Sequence, residues 1–247
     1  MNQRDFSHAN NPRFECSESV LLLPFGRESY LPAIAEAWSG ERIELSETTD
    51  RIVYHLGSTS TPITLVYSGM GSAAAANTLE MVAAAGARRV MVFGACGGVA
   101  AEIGVGDLVV ASGAVRGEGA TRYYAPSGYP ALFDPLLTAK LYRQAKSSES
   151  VAHVGVVYTT DAGYRQGPEI YEDCAGLVIG VENECAAVAV VAARLGLSAG
   201  ALLFCTDNVT LAKEDDRAYR GLADPRVRGA FDHGLRSVLE VLTDNTD

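Results

Sequence analysis

The sequence predicts an α/β protein of a single domain, with a mixed, mainly parallel twisted sheet and helices on both faces. Three observations carry that expectation. Short apolar runs rich in Val, Ile and Leu alternate with stretches whose apolar residues recur at helical spacing, as in strands joined by crossover helices. The chain has 247 residues, 48% hydrophobic and 20% charged, which suits one sizeable core rather than two. Clusters of Gly and polar residues follow several apolar runs directly, and ligands of open α/β sheets bind beyond the carboxyl ends of strands.

Residues 1–18 read as a polar N-terminal arm containing His8, and 19–247 as the domain. Ser19 to Pro24 (SVLLLP) predicts a buried strand, Phe25, Gly26 and Arg27 a turn, and Glu28 to Trp38 a short helix. Arg51 to Leu56 and Pro62 to Tyr67 predict neighbouring strands around the polar turn GSTST. After Ser68-Gly69-Met70-Gly71-Ser72, an alanine-rich helix runs to about Ala85, closed by Gly86. The β-branched run Val90 to Phe93 predicts a buried strand that stops at Gly94-Ala95-Cys96-Gly97-Gly98, where small residues leave room for a ligand.

Gly104 to Arg116 predicts a long strand, and Gly117 to Pro130 a loop dense in Gly, Tyr and charge. A helix over 135–146, a strand over 151–158 and a polar loop over 160–166 follow. Leu177 to Glu182 predicts a strand running into a helix that ends at Leu195, and Ala199 to Cys205 the last strand. The stretch from Asp215 to Leu242 carries apolar residues at helical spacing and is expected to pack across the sheet.

Composition narrows the function. A net charge of −10 and a pI of about 4.9 argue against a nucleic-acid backbone or an anionic membrane as main partner, because both need clustered Lys and Arg. No stretch offers 18 uncharged apolar residues, and the N-terminus lacks an apolar leader core, so the expected location is cytoplasmic. The five cysteines are odd in number and lack a C-x-x-C pair, which fits buried, reduced thiols without a structural disulfide or a metal site. A small molecule remains as the expected partner.

Four strand ends then carry the candidate chemistry: Gly69-Met70-Gly71, Gly94 to Gly98, Glu182-Asn183-Glu184, and Thr206-Asp207-Asn208. The first matches G-x-G-x-x-A through Ala74, but the next strand ends in Gly94 rather than an acidic residue, which argues against a dinucleotide site. Glu182 and Glu184 fit either a helix N-terminus, whose dipole favours carboxylates, or acceptors for two vicinal hydroxyls. Asp207 follows an uncharged run, so its carboxyl fits a proton donor with a raised pKa or an Asx turn before the last helix.

Taken together, SGMGSAAAA (68 to 76), FGACGG (93 to 98), VGDLVVASGAVRGEGATRYYAP (105 to 126), GVENECAAVAVVA (180 to 192) and CTDN (205 to 208) resemble the nucleoside phosphorylase superfamily, in the clade of hexameric purine nucleoside phosphorylases and uridine phosphorylases. The resemblance implies cleavage of the N-glycosidic bond of a purine-like, modified or unmodified, nucleoside by phosphorolysis. It implies no cofactor, inorganic phosphate as co-substrate, and a homodimer or homohexamer with shared active sites. By it, Met70 and Glu184 hold the ribose, Glu182 and Asn183 flank it, and Gly97 lies in the floor of the site. Asp207 protonates the leaving base with the help of Arg220, and His8 meets the 5′ hydroxyl across a subunit interface. Gly26, Arg27 and Arg51 bind phosphate, and Tyr164 stands beside the base.

The departures are specific. Asn183 stands where the family has Met, Gly163 where a base-stacking aromatic stands, Val92 where an arginine precedes the FGACGG turn, and Ala95 where that turn has a hydroxyl. Losing an arginine and a hydroxyl removes charge-assisted hydrogen bonds of about 1.5 to 3 kcal/mol each from an anion site. Two alternatives therefore stay open: a nucleosidase of the same fold, in which Glu28 activates water, and a non-catalytic nucleoside-binding paralogue.

Overall fold

The computed structural model describes residues 16–24, 27–38, 42–47, 52–57, 61–147, 149–165, 172–208, 210–211 and 214–244. In chain order these form β1 (Ser19–Leu23), α1 (Arg27–Ala37), β2 (Arg42–Glu47), β3 (Ile52–Gly57), β4 (Ile63–Tyr67), α2 (Ser72–Ala84), β5 (Arg89–Gly98), β6 (Leu108–Gly117) and β7 (Ala131–Leu132). Then come α3 (Pro135–Lys146), β8 (Ala152–Thr160), β9 (Gly180–Glu182), α4 (Cys185–Leu195), β10 (Ser198–Asn208) and α5 (Pro225–Thr243).

The sheet is mixed, as the sequence predicts, but it closes on itself. Its order is β10-β6-β8-β9-β5-β1-β4-β3-β2, and β10 also pairs with β5, so β5, β10, β6, β8 and β9 form a ring. The strands β1, β4, β3 and β2 extend from that ring as a wing. Strand β5 is the seam between the two. On one edge β10 runs parallel to it along its whole length, from Ser198↔Arg89 to Asn208↔Gly98, with a bulge between Cys205 and Asp207. The other edge is divided: β1 pairs as far as Leu22↔Val92, and β9 takes over antiparallel at Gly97↔Val181.

Along β1 every residue is buried, with Val20 and Leu22 in one apolar layer and Leu21 and Leu23 in the other. Adjacent side chains of a strand point to opposite faces, so a continuous apolar run requires cover on both. Helices α2 and α4 contribute to the first layer, and α1, α3 and α5 to the second. In the second layer Phe93, Phe204 and Phe231 meet with ring centroids 5.4–5.6 Å apart. Helix α5 reaches them because residue 234 is glycine; a β-carbon there would stand 2.8 Å from the Phe93 ring.

Several boundaries differ from expectation; β6 begins at Leu108 rather than Gly104, and β9 at Gly180 rather than Leu177. Strand β5 does not stop at Gly94 but runs to Gly98, because β10 continues to pair with it. The last strand likewise extends to Asn208. The polar segment Arg42–Glu47 is an edge strand on β3 that its composition hides. Helix α5 starts at Pro225 rather than near 215, because Asp224 caps it by accepting from the Arg226 N–H at 2.9 Å and Pro225 occupies the first turn. Among the described residues no helix is long and apolar enough to cross a membrane.

Candidate active site

The site is built around Gly97. Its register partner on β10 is Asp207 and on β9 is Val181, so one glycine separates the two walls. A β-carbon on Gly97 would lie 3.3 Å from Asp207 Oδ2 and 3.4 Å from Val181 Cγ1, tighter than ordinary contact on both sides. Glycine therefore lets the Asp207 carboxyl lie over the strand.

Asp207 is partly buried, and burial raises its pKa against the opposing hydrogen bond from Thr206. The Thr206 hydroxyl lies 2.7 Å from Asp207 Oδ1 and 3.2 Å from the Cys96 carbonyl oxygen. One hydroxyl carries one proton, so it serves only one of these acceptors at a time. With Asp207 protonated both contacts are satisfied: the carboxyl donates to Thr206, and Thr206 donates to the carbonyl. The geometry accommodates a neutral acid.

The second wall is the start of α4. Glu182 Oε2 accepts from the backbone N–H groups of Glu184 and Cys185 at 2.6 and 2.7 Å, while Oε1 accepts from the Thr159 hydroxyl. Thr159 accepts in turn from the Ala186 N–H at 2.9 Å. Glu182 is thus the helix cap, supplied from three residues before the first helical residue, and both its oxygens are engaged. Asn183 donates to the Thr160 carbonyl, and its own carbonyl accepts from the Ser72 hydroxyl at 2.6 Å.

Glu184 makes no cap bond. Its Oε1 instead accepts from the Gly71 N–H at 2.6 Å, tying α4 to the loop after β4. That loop needs glycine at 69 and 71, where φ is +79° and +102°. Between them Met70 is half-exposed. Burial, and then the charge of Glu182, push the Glu184 pKa up to about 8; burial also raises that of Glu182.

The structure thus gathers Met70, Gly97, Glu182, Asn183, Glu184 and Asp207 about the end of β5. Arg220 joins them through its backbone, its N–H donating to the Thr206 carbonyl at 3.0 Å. Tyr164 stands 94% exposed in a single 3₁₀ turn after β8. His8, Gly26 and Arg51 lie outside the described residues, as do the side chains of Arg27 and Glu28 in α1. Val92 is buried in the first apolar layer. Thr159 is absent from the four strand ends read from the sequence, although a hydroxyl at the end of an apolar strand is a usable signal.

The thiols are packing groups. Cys96, Cys185 and Cys205 are buried and free. Cys96 is held well above the usual thiol range by its hydrogen bond with Cys205 and by burial, and Cys185 by burial, which makes them poor nucleophiles. Among the described residues no group of three or more His, Cys, Asp or Glu could hold a metal ion.

The loop after β6 is folded on its own side chains. Arg116 donates to the carbonyls of Ala125, Pro126, Ser127 and Tyr129 and to the Thr121 hydroxyl. Glu118 accepts from the N–H groups of Ala120 and Thr121, and Asp161 from that of Gly119 at 2.9 Å.

A five-stranded ring with an open wing, a strand-end acid facing a glycine and a carboxylate pair at a helix start together define an α/β enzyme of the nucleoside phosphorylase type. The sequence profile described as the phosphorylase superfamily matches residues 20–231, and the chain belongs to that family. It is 28% identical to a guanosine phosphorylase of Halorubrum lacusprofundi over 184 residues, 74% of this chain and 76% of that protein. The crystal structure of a uridine phosphorylase from Vibrio fischeri, complexed with 6-hydroxy-1-naphthoic acid, is similar with a TM-score of 0.75 and 25% identity, covering 92% of this chain and 90% of that one. A purine nucleoside phosphorylase from Toxoplasma gondii in complex with immucillin-H shares the fold, with a TM-score of 0.80 at 19% identity over 93% of this chain and 91% of that one.

Proposed function

We propose that the protein cleaves the N-glycosidic bond of a purine-like nucleoside by phosphorolysis, giving free base and sugar 1-phosphate. The observation that carries this reading is Asp207, a partly buried acid with a raised pKa laid over the glycine floor. In the reaction, the bond between C1′ and the base nitrogen breaks with its electron pair going to the base, and the sugar gains oxocarbenium character. Asp207 gives its proton to a ring nitrogen of the leaving base, and a phosphate oxygen bonds to C1′. A purine offers an imidazole nitrogen for that proton, whereas a departing uracil holds its charge on carbonyl oxygens. The acid therefore favours the purine, as does the guanosine phosphorylase relative.

Glu184 takes the ribose hydroxyls, its carboxylate accepting from both, with Met70 beneath the sugar. Glu182 and Asn183 keep Glu184 in place, through the cap and the bond to Thr160. Arg220 supports Asp207 at the base. Arg27, Gly26 and Arg51 are assigned to phosphate, and His8 to the 5′ hydroxyl, in a homo-oligomer whose subunits complete one another's sites.

A hydrolytic reading has one observation in its favour: Val92 is buried in the apolar layer, where the resemblance leads one to expect an arginine. In that case Glu28 activates water in place of phosphate. Incubating the protein with inosine, guanosine, adenosine and uridine, with and without phosphate, separates the two. Phosphorolysis requires phosphate and yields sugar 1-phosphate; base release that ignores phosphate overturns it.

A further inference from the structure

The position expected to carry a base-stacking aromatic is Gly163, and the tyrosine beside it projects into solvent. A different aromatic stands next to the acid. The segment between the 3₁₀ turn Glu214–Arg217 and α5 is pinned to the end of β10 by the Arg220 N–H, which donates to the carbonyl of Thr206, the residue before Asp207. Further on it closes a local turn, the Asp224 N–H donating to the Gly221 carbonyl at 3.0 Å. Arg226 holds the two flanks together, donating to Asp216 and to Asp224 at 2.9 Å each. Tyr219 therefore sits on a backbone fixed relative to Asp207.

Its phenol is within electrostatic reach of both the Asp207 carboxyl and the Tyr30 hydroxyl. Yet 66% of its surface is open. An aromatic ring held near a proton donor that itself lies against Gly97 offers a flat apolar face to whatever the donor protonates.

We infer that Tyr219 is the aromatic wall of the base subsite, a substrate-binding residue on which the planar heterocycle stacks while Asp207 protonates it. This inference rests on the proposed reaction and adds the residue that selects for an aromatic leaving group. Stacking is a property of the ring, so the hydroxyl is dispensable and the ring is not.

The test compares Tyr219→Ala and Tyr219→Phe with the wild type, using inosine with hypoxanthine and uridine with uracil. Steady-state kinetics report on the nucleosides and calorimetric titration on the free bases. Tyr219→Ala is expected to raise KM and weaken free-base binding about tenfold, the scale of one base–aromatic stack, while kcat changes far less. Tyr219→Phe is expected to restore both. A Tyr219→Ala variant that binds and cleaves like the wild type overturns the inference and leaves the reaction standing. Equal losses in the Ala and Phe variants also overturn it, because they assign the effect to the hydroxyl. A wild type that binds and cleaves neither pair overturns the reaction and this inference together.

Discussion

Two groups of carboxylates have opposite characters. At the start of α5, Asp224 caps the helix and pairs with Arg226, and the guanidinium bonds hold its pKa down at about 2. Asp216 pairs with the same arginine. Around β5 and the start of α4, Glu182, Glu184 and Asp207 are held by neutral donors, namely hydroxyls and backbone N–H groups, and burial raises all three pKa values. The guanidinium favours the anion of Asp224, whereas burial among neutral donors favours the protonated forms of Asp207 and Glu184. What separates the two groups here is the charge of their partners.

The largest expected break in this contrast is Asp207→Asn. It keeps the shape of the side chain and removes the acid, so kcat should fall by about a hundredfold or more with the fold retained, as circular dichroism would check. Next is Glu182→Ala, which leaves two helix N–H groups and the Thr159 hydroxyl buried without their acceptor. That change should cost about 3 kcal/mol of stability in urea denaturation, against a small effect for exposed carboxylates.

Glu184 sharpens the comparison through pH. Its pKa is about 8 in the folded protein against an ordinary 4.5, so over that window the folded state keeps a proton the unfolded chain has lost. Stability from this group is therefore greatest below the lower value and declines as pH rises toward the upper one. Glu184→Gln should remove that slope, its Tm gaining on the wild type between about pH 5 and pH 8. Smallest is Asp224→Ala, expected to cost about 1 kcal/mol of stability in urea denaturation as a lost cap.

The four strand ends read from the sequence do converge, because Gly and polar residues directly after apolar runs are a local signal of a loop facing a ligand. The ring closure was not legible: the pairing of β10 with β5 and β6 is set by contacts more than 90 residues apart, such as Leu202 with Val110 and Phe93. The continuation of β5 through Gly94, Gly97 and Gly98 was misread for the same reason. Glycine is a breaker by local propensity, and here the neighbouring strand outweighs it. The division of labour between Glu182 and Glu184 also needed the fold, since both fit a cap and only the path of the chain decides which one bends back. Tyr219 gave no local signal, its weight coming from a single backbone bond beside Asp207.

The self-bonded loop after β6 bears on the kinetics of the reaction. With its carbonyls gathered on the Arg116 guanidinium, most of its conformational entropy is lost before any ligand arrives, so it is part of the rigid frame rather than a lid. The Ser68–Gly71 loop is tied in another way, its Gly71 N–H bonded to Glu184 Oε1 at the start of α4. On the proposed reading of Glu184, capture of a sugar hydroxyl at that oxygen exchanges one hydrogen bond for another.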